Sequence, residues 1–171
     1  MEQKIILIGY MGSGKTTLGE KLALELKIPF IDSDEVIEQI AKMDIATIFK
    51  EHGEEVFRKM ESMFLESLIN IPAFVLSTGG GLPCFNNNID VLNELGETIY
   101  LKNTPENLAE RLLLAKNVRP LIAGKSKEEL IPFIAENLIK REPFYSKAKR
   151  TLGGEEQNLL NVFQMITKSA K

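Results

Sequence analysis

The sequence contains very few of the residues that build disulfide scaffolds and histidine-based metal sites. Its 171 residues include one cysteine, one histidine and no tryptophan. Cys84 cannot form an intrachain disulfide, which fits a reducing compartment, and we expect it to be a packed thiol rather than a nucleophile. Because His52 is the only histidine, a zinc site built on two histidines is excluded.

The sequence also lacks a large excess of one charge and a long apolar run. A net charge of −3 argues against general binding to nucleic acid or to an anionic membrane surface. No apolar run approaches the roughly 20 residues that a membrane helix needs. The first apolar run begins at Lys4, which leaves no room for a signal peptide before it. We therefore expect a cytoplasmic protein without nucleic-acid or membrane partners.

What the sequence does contain is an alternation of short apolar runs and segments with helical periodicity. This alternation predicts an α/β fold of three layers, with helices on both faces of a central parallel sheet. Gly53 is predicted to break a long helix. Four strands are predicted at Lys4–Gly9, Pro29–Asp32, Pro72–Thr78 and Glu97–Lys102, and a later helix is predicted at Glu128–Lys149.

The segment GYMGSGKT, residues 9–16, matches the pattern G-x-x-x-x-G-K-[ST] between a predicted strand and a predicted helix. Its glycines let backbone amides converge on phosphate oxygens, while Lys15 reaches the β- and γ-phosphates and the Thr16 hydroxyl binds Mg²⁺. The segment therefore predicts a nucleoside triphosphate site, with a glycine-rich turn that binds nothing as the alternative. The predicted ATP-binding residues are Gly12, Ser13, Gly14, Lys15, Thr16 and Thr17.

Two further segments follow predicted strands and should lie at the same edge of the sheet. In Asp32–Ser33–Asp34, one carboxylate can hold Mg²⁺ through water while the other addresses an acceptor hydroxyl. An Asx turn with a helix N-cap explains either aspartate equally well on its own. The run Gly79–Gly81 lets the backbone approach a ligand closely, although a tight turn would need the same residues.

Basic residues complete the set of candidates. Taken alone, Arg58 and Glu61 fit a surface ion pair better than a binding site, because they lie three residues apart on one predicted helix. Arg119 lies in a basic loop that can close over a transferred phosphate, or that is simply solvated. Arg141, in the segment KREPFY, leaves the same two interpretations open.

Taken in order, these motifs resemble those of bacterial shikimate kinases. The resemblance covers nearly the whole chain, through GYMGSGKTTLGEKLA, DSD, GEEVFRKME, STGGG, RPLIAG and REPFY. It implies a P-loop fold like that of nucleoside-monophosphate kinases, with a mostly parallel sheet of five strands whose fifth strand, weak in this sequence, lies near Lys149–Leu152. It also implies one kinase domain over 1–171, with a mobile lid at about 112–126 and substrate-binding helices at about 33–69. An arginine that stacks on adenine in that family has no unambiguous counterpart; Arg111 lies nearest.

The resemblance implies that the γ-phosphate of ATP is transferred to the 3-hydroxyl of shikimate. It implies Lys15, Asp34 and Arg119 as catalytic residues, with Arg119 reaching the ATP phosphates from the lid. Thr16, and Asp32 through water, would hold Mg²⁺, and Glu61 would steady Arg58. We expect ATP and shikimate as partners and a monomeric protein. The residues implied to bind shikimate are Asp34, Arg58, Gly79, Gly80, Gly81 and Arg141.

Three other functions remain as alternatives at this stage. A gluconate kinase would share the phosphate-binding loop and the aspartate after the second strand, but FRKME and STGGG favour shikimate. A nucleotide-dependent switch is a second alternative, although the N-K-x-D motif of guanine-specific switches is absent. The third alternative is an inactive regulatory protein, against which Lys15, Thr16, Asp32, Asp34 and Arg119 all argue.

Overall fold

Five parallel strands form the centre of the fold in a computed structural model that describes residues 3–115, 122 and 124–168. They pair in the order β2-β3-β1-β4-β5, and every pair is parallel. This confirms the predicted sheet, including its weak fifth strand. The strands are β1 (Gln3–Ile8), β2 (Phe30–Asp32), β3 (Ala73–Ser77), β4 (Glu97–Lys102) and β5 (Arg150–Gly153).

Helices connect successive strands, as parallel pairing requires. The third helix contains the predicted break, because Gly53 has φ 80° and ψ 169° inside it. The sixth helix ends at Tyr145, four residues earlier than the sequence pattern suggests. The helices are α1 (Lys15–Leu26), α2 (Ser33–Ala41), α3 (Ile45–Ser67), α4 (Asn88–Leu95), α5 (Pro105–Leu114), α6 (Lys127–Tyr145) and α7 (Leu159–Lys168).

The two faces of the sheet bury separate apolar clusters, because successive side chains of a strand point to opposite faces. On one face, Ile5 and Leu7 pack with Leu22 of α1 and Val162 of α7. On the other face, Ile6 and its neighbours pack with buried side chains of helices α2 to α6. The predicted three layers are therefore confirmed.

Parallel pairing brings the carboxyl ends of the strands together. Ser77 at the end of β3 pairs with Leu7 of β1 on one side and with Asp32 of β2 on the other. The loops that follow these strands carry the glycine-rich segment, the two aspartates and the Gly79–Gly81 run. Within the described ranges, no helix has the length and apolar composition of a membrane span.

Candidate active site

The glycine-rich segment forms the loop between β1 and α1, as predicted. Gly9, Gly12 and Gly14 have φ values of 147°, 79° and 93°, a region that side chains with a Cβ atom rarely adopt. Gly14 immediately precedes α1, so the loop leads into the N-terminus of that helix. Free backbone N–H groups at a helix N-terminus form a ready-made site for anions.

Lys15 is buried against this loop, with 8% of the residue exposed. Its Nζ atom donates hydrogen bonds to the carbonyl oxygens of Gly9 and Tyr10, both at 2.8 Å, and to Ser13 Oγ at 3.3 Å. These acceptors offset the cost of burying an ammonium group. The loop therefore carries a positive charge fixed to its own backbone.

An oxygen cluster lies next to the loop. Thr16 Oγ1 donates to Asp32 Oδ2 at 3.1 Å and lies 3.3 Å from Ser77 Oγ. Asp32 also caps α2, because its Oδ1 atom accepts from the backbone N–H of Asp34 at 3.0 Å. Both interpretations of Asp32 are therefore compatible: it caps a helix with one oxygen and faces Thr16 with the other.

The Gly79–Gly81 run lies against all three side chains that the sequence singled out for substrate binding. A Cβ atom at Gly79 would overlap with Asp34 Oδ1. One at Gly80 would lie 3.1 Å from Arg141 Nη1, and one at Gly81 would lie 2.9 Å from Arg58 Nη1. A side chain at any of these positions would therefore press against Asp34, Arg58 or Arg141, and the glycine run brings these three side chains together.

The ion pair between Arg58 and Glu61 is present, as their spacing suggests, but it is enclosed rather than on the surface, because the two side chains are 14% and 1% exposed. The Nη1 atom of Arg58 donates to Glu61 Oε2 at 2.8 Å and its Nη2 atom to Glu54 Oε1 at 2.9 Å. The guanidinium carbon lies 3.8 Å from the centre of the Phe85 ring, within the range of a cation–π contact. Phe85 could not be identified as part of the site from sequence, since nothing in the sequence pattern places its ring over Arg58.

Glu61 is buried, with 1% of the residue exposed, although its side chain carries an ionisable carboxyl group. Burial raises the pKa of its carboxyl group to about 7, while the hydrogen bond and charge of Arg58 act in the opposite direction. The nearby Asp34 and Glu54 raise this pKa further.

Cys84 is half-buried close by, and burial raises the pKa of its thiol to about 11, so the thiol stays protonated at neutral pH. The prediction of an unreactive thiol agrees with this.

One cleft of about 600 Å³ connects the two halves of the site. The phosphate-binding loop lies on one side of it, and Asp34, Gly79 and Gly80 lie on the other. Ser33, which the sequence analysis quoted without a role, fixes the second side, because its Oγ atom accepts from the N–H of Gly79 at 2.7 Å. A phosphate group on the loop and an acceptor beside the glycine run would therefore share one cavity.

Comparison with known proteins assigns the family. The shikimate kinase family model matches residues 11–171 of this chain. The chain belongs to the shikimate kinase family. Shikimate kinases of Phocaeicola vulgatus and Parabacteroides distasonis are 47% and 46% identical to it, over 90% of the chain in both cases and over 87% and 89% of their own lengths.

Solved shikimate kinases also share the fold. The structure from Bacteroides thetaiotaomicron has a TM-score of 0.90 at 38% identity and covers 99% of both chains. A structure from Acinetobacter baumannii in complex with shikimate has a TM-score of 0.83 at 32% identity, over 98% of this chain and 94% of that one. A gluconokinase from Sinorhizobium meliloti reaches a TM-score of 0.59 at 17% identity, over 99% and 96% of the two chains, and shows the fold alone.

Two more arginines were considered when the sequence motifs were compared with those of shikimate kinases. Arg119 lies outside the described residues, as do the other residues of 116–121 and residue 123 of the lid predicted at about 112–126, so the role of this arginine stays a prediction. Arg111 donates from Nη1 to the carbonyl oxygen of Ser13 at 3.2 Å and lines the cleft. No clear role could be assigned to Arg111 from the sequence, because its contact with the loop spans 98 positions of the chain.

Proposed function

We propose that this member of the shikimate kinase family transfers the γ-phosphate of ATP to the 3-hydroxyl of shikimate, giving shikimate 3-phosphate and ADP. The single observation that carries the proposal is the packing of Asp34, Arg58 and Arg141 around the Gly79–Gly81 run. Of these groups, Asp34 lines the cleft together with Gly79 and Gly80, opposite the phosphate-binding loop. The two arginines lie against the same glycine run. The relative that was solved in complex with shikimate supports the choice of acceptor.

The nucleotide half of the site fits Mg-ATP. The amides of the loop and the Lys15 ammonium group would bind the β- and γ-phosphates. Hydroxyl and carboxylate oxygens are ligands that Mg²⁺ accepts, and the Thr16–Asp32 pair supplies both kinds. The described ranges contain no group of three or more acidic, histidine or cysteine side chains that could hold a metal ion. This agrees with Mg²⁺ that keeps several waters and shares the phosphates.

In the acceptor half, Arg58 and Arg141 would bind the carboxylate of shikimate. A guanidinium group matches a carboxylate with two parallel hydrogen bonds, which also fixes the orientation of the ring. Asp34 would then accept a hydrogen bond from the 3-hydroxyl and can take its proton as the new P–O bond forms. The bond between the γ-phosphorus and the bridging oxygen of ADP breaks in the same step.

Catalysis of this kind depends on alignment and on neutralising charge. Mg²⁺, when bound, would neutralise charge on the transferred phosphoryl group. Lys15 would do the same from the loop, and Arg119 from the lid. We further propose that residues 1–171 form one monomeric domain, with the segment at about 112–126 as its lid and the helices at about 33–69 as its substrate-binding part.

The experiment that tests the function measures ADP release from Mg-ATP with shikimate, with gluconate and with no acceptor. We expect release that depends on shikimate. ADP release that depends on gluconate would support the nucleotide site but contradict the assignment of shikimate as the acceptor. Release without an acceptor would indicate an ATPase, and no release under any condition would indicate an inactive protein.

A further inference from the structure

Tyr145 makes an unusual contact for a side chain at the end of a helix. It is the last residue of α6 and is fully buried. Its hydroxyl group donates to the carbonyl oxygen of Gly80 at 2.5 Å, across 65 positions of the chain. Because Gly80 lies in the middle of the glycine run, this bond fixes the backbone that faces the proposed acceptor.

The same hydroxyl group lies beside Arg141, which is one helical turn earlier on the same face of α6. Burial raises the pKa of Tyr145, and Arg141 offsets part of this rise through its charge and a side-chain hydrogen bond. On its other side, the Arg141 guanidinium carbon lies 5.1 Å from the centre of the Tyr10 ring. The arginine is therefore held between an aromatic face and the Tyr145 hydroxyl.

Gly80 lies between Arg141 and the phosphate-binding loop. Besides its contact with Arg141, the position of a Cβ atom on Gly80 is 3.5 Å from Gly9 O and 3.5 Å from Met11 N in the phosphate-binding loop. A shift of Gly80 would therefore change its distance to the loop on one side or to the arginine on the other. The hydrogen bond from the Tyr145 hydroxyl to the Gly80 carbonyl oxygen is one contact that holds this position.

We propose that Tyr145 is a positioning residue for shikimate binding, whose hydroxyl group holds the Gly80 carbonyl and the Arg141 guanidinium in one fixed arrangement. The inference rests on the proposed function, and it adds to that function a residue that does not itself touch the substrate. The simpler interpretation is that Tyr145 only fills the core, since its ring packs 5.1 Å from the ring of Tyr100.

Tyr100 provides the matched control that separates these two interpretations. It is buried to a similar degree, with 2% of the residue exposed, and its hydroxyl group donates to Glu142 Oε2 at 2.7 Å. That bond involves neither Gly80 nor Arg141. Removal of either hydroxyl group therefore leaves both aromatic rings in the core. Only removal of the Tyr145 hydroxyl takes a contact away from Gly80 and Arg141, the proposed substrate-binding residues.

The experiment compares wild type, Tyr145→Phe and Tyr100→Phe in steady-state kinetics and thermal unfolding. For Tyr145→Phe we expect the KM for shikimate to rise about tenfold, because one arginine and one backbone segment lose their common partner. The KM for ATP should stay within about twofold of wild type, and kcat should fall less than the KM for shikimate rises. For Tyr100→Phe we expect both KM values within about twofold of wild type.

A double-mutant cycle with Arg141→Lys tests whether the effect passes through the arginine. If it does, Tyr145→Phe will raise the KM for shikimate much less in the Arg141→Lys background than in wild type. An unchanged KM for shikimate in Tyr145→Phe, or equal changes in the two tyrosine variants, would overturn the inference alone. A wild-type protein that does not use shikimate would overturn the proposed function, and this inference with it.

Discussion

At the scale of single residues, Arg58 shows which contacts of the site follow from sequence and which do not. Its partners Glu54 and Glu61 are one turn away on the same helix, so their approach could be expected from spacing alone. The burial of Glu61 and the contact between Arg58 and the Phe85 ring could not be expected from spacing, because both depend on how distant segments pack over α3. Phe85 reaches Arg58 from a loop that continues through Asn86 and Asn87, both of which have positive φ.

The first prediction concerns the guanidinium group of Arg58. Replacing it with an ammonium group in Arg58→Lys removes the planar fork that would bind a carboxylate, so we expect the KM for shikimate to rise by about 10- to 100-fold. The KM for ATP should change little. Steady-state kinetics with each substrate varied in turn measures both effects.

The neighbouring Lys59 supplies the control for that variant. It forms an ion pair with Glu55 in which the side chains are 67% and 83% exposed, so it should add little to stability or activity. Lys59→Ala should therefore behave like wild type. If Arg58→Lys changed the KM for shikimate no more than Lys59→Ala does, Arg58 would not bind the substrate.

The second prediction follows from the raised pKa of Glu61. Between about pH 4.5 and about pH 7 the folded protein keeps the Glu61 proton while the unfolded chain has lost it. The folded state then binds more protons than the unfolded state, so the free energy of unfolding falls as pH rises through this window. Above about pH 7 the Glu61 carboxyl group is ionised in both the folded and the unfolded state, so Glu61 causes no further fall in the free energy of unfolding.

Glu61→Gln cannot titrate, so the difference in free energy of unfolding between wild type and this variant isolates the effect. Urea unfolding from pH 4.5 to pH 8 should show wild type losing stability relative to the variant, by on the order of 2 kcal/mol, and then a plateau. A wild type that gains stability relative to the variant as pH rises would mean that the Glu61 pKa is lowered by Arg58 instead.

At the scale of elements, the strands whose residues are buried on both faces of the sheet are the ones that could be predicted clearly from the sequence. Strands β1, β3 and β4 have long buried stretches, which appear in the sequence as continuous apolar runs. Strand β5 lies at an edge of the sheet and buries only Leu152 fully, so it gave a weak pattern. The end of α6 was placed four residues too late, because the helix stops at the buried Tyr145 and no glycine or proline follows directly to mark its end, while Pro143 lies within the helix.

The third prediction concerns the break in α3. Gly53 has φ 80° and ψ 169°, a backbone conformation that is essentially restricted to glycine, and open space surrounds it. Gly53→Ala should therefore destabilise the protein by about 1–3 kcal/mol through backbone strain alone. Because Glu54 and Arg58 follow the break directly, we also expect a higher KM for shikimate.

Gly153 is a suitable control for this effect. It has an extended backbone, with φ −108°, and open space where a Cβ atom would lie. Gly153→Ala should change the free energy of unfolding by no more than about 0.5 kcal/mol. Urea unfolding of both variants makes the comparison, and equal stability of the two would show that α3 tolerates another backbone conformation at residue 53.

At the scale of the whole molecule, sheet order explains why distant segments meet in one cleft. Strands β1 and β3 are neighbours, so the phosphate-binding loop after the first lies beside the glycine run after the second. The ends of parallel strands are where α/β folds bind ligands. The alternation of elements therefore predicted both the sheet and its functional edge, while the contacts across the cleft required the packed structure.

The last prediction follows from the same sheet. Residues of β1 belong to both apolar clusters, so neither face can lose its core while the other keeps it. We expect thermal unfolding in one cooperative transition, with equal calorimetric and van't Hoff enthalpies. Shikimate at 100 times its Kd should raise the midpoint by about 5–10 °C for a chain of this size. Gluconate should not shift the midpoint. Two transitions, of which only one moves with shikimate, would mean that the substrate-binding helices unfold separately from the sheet.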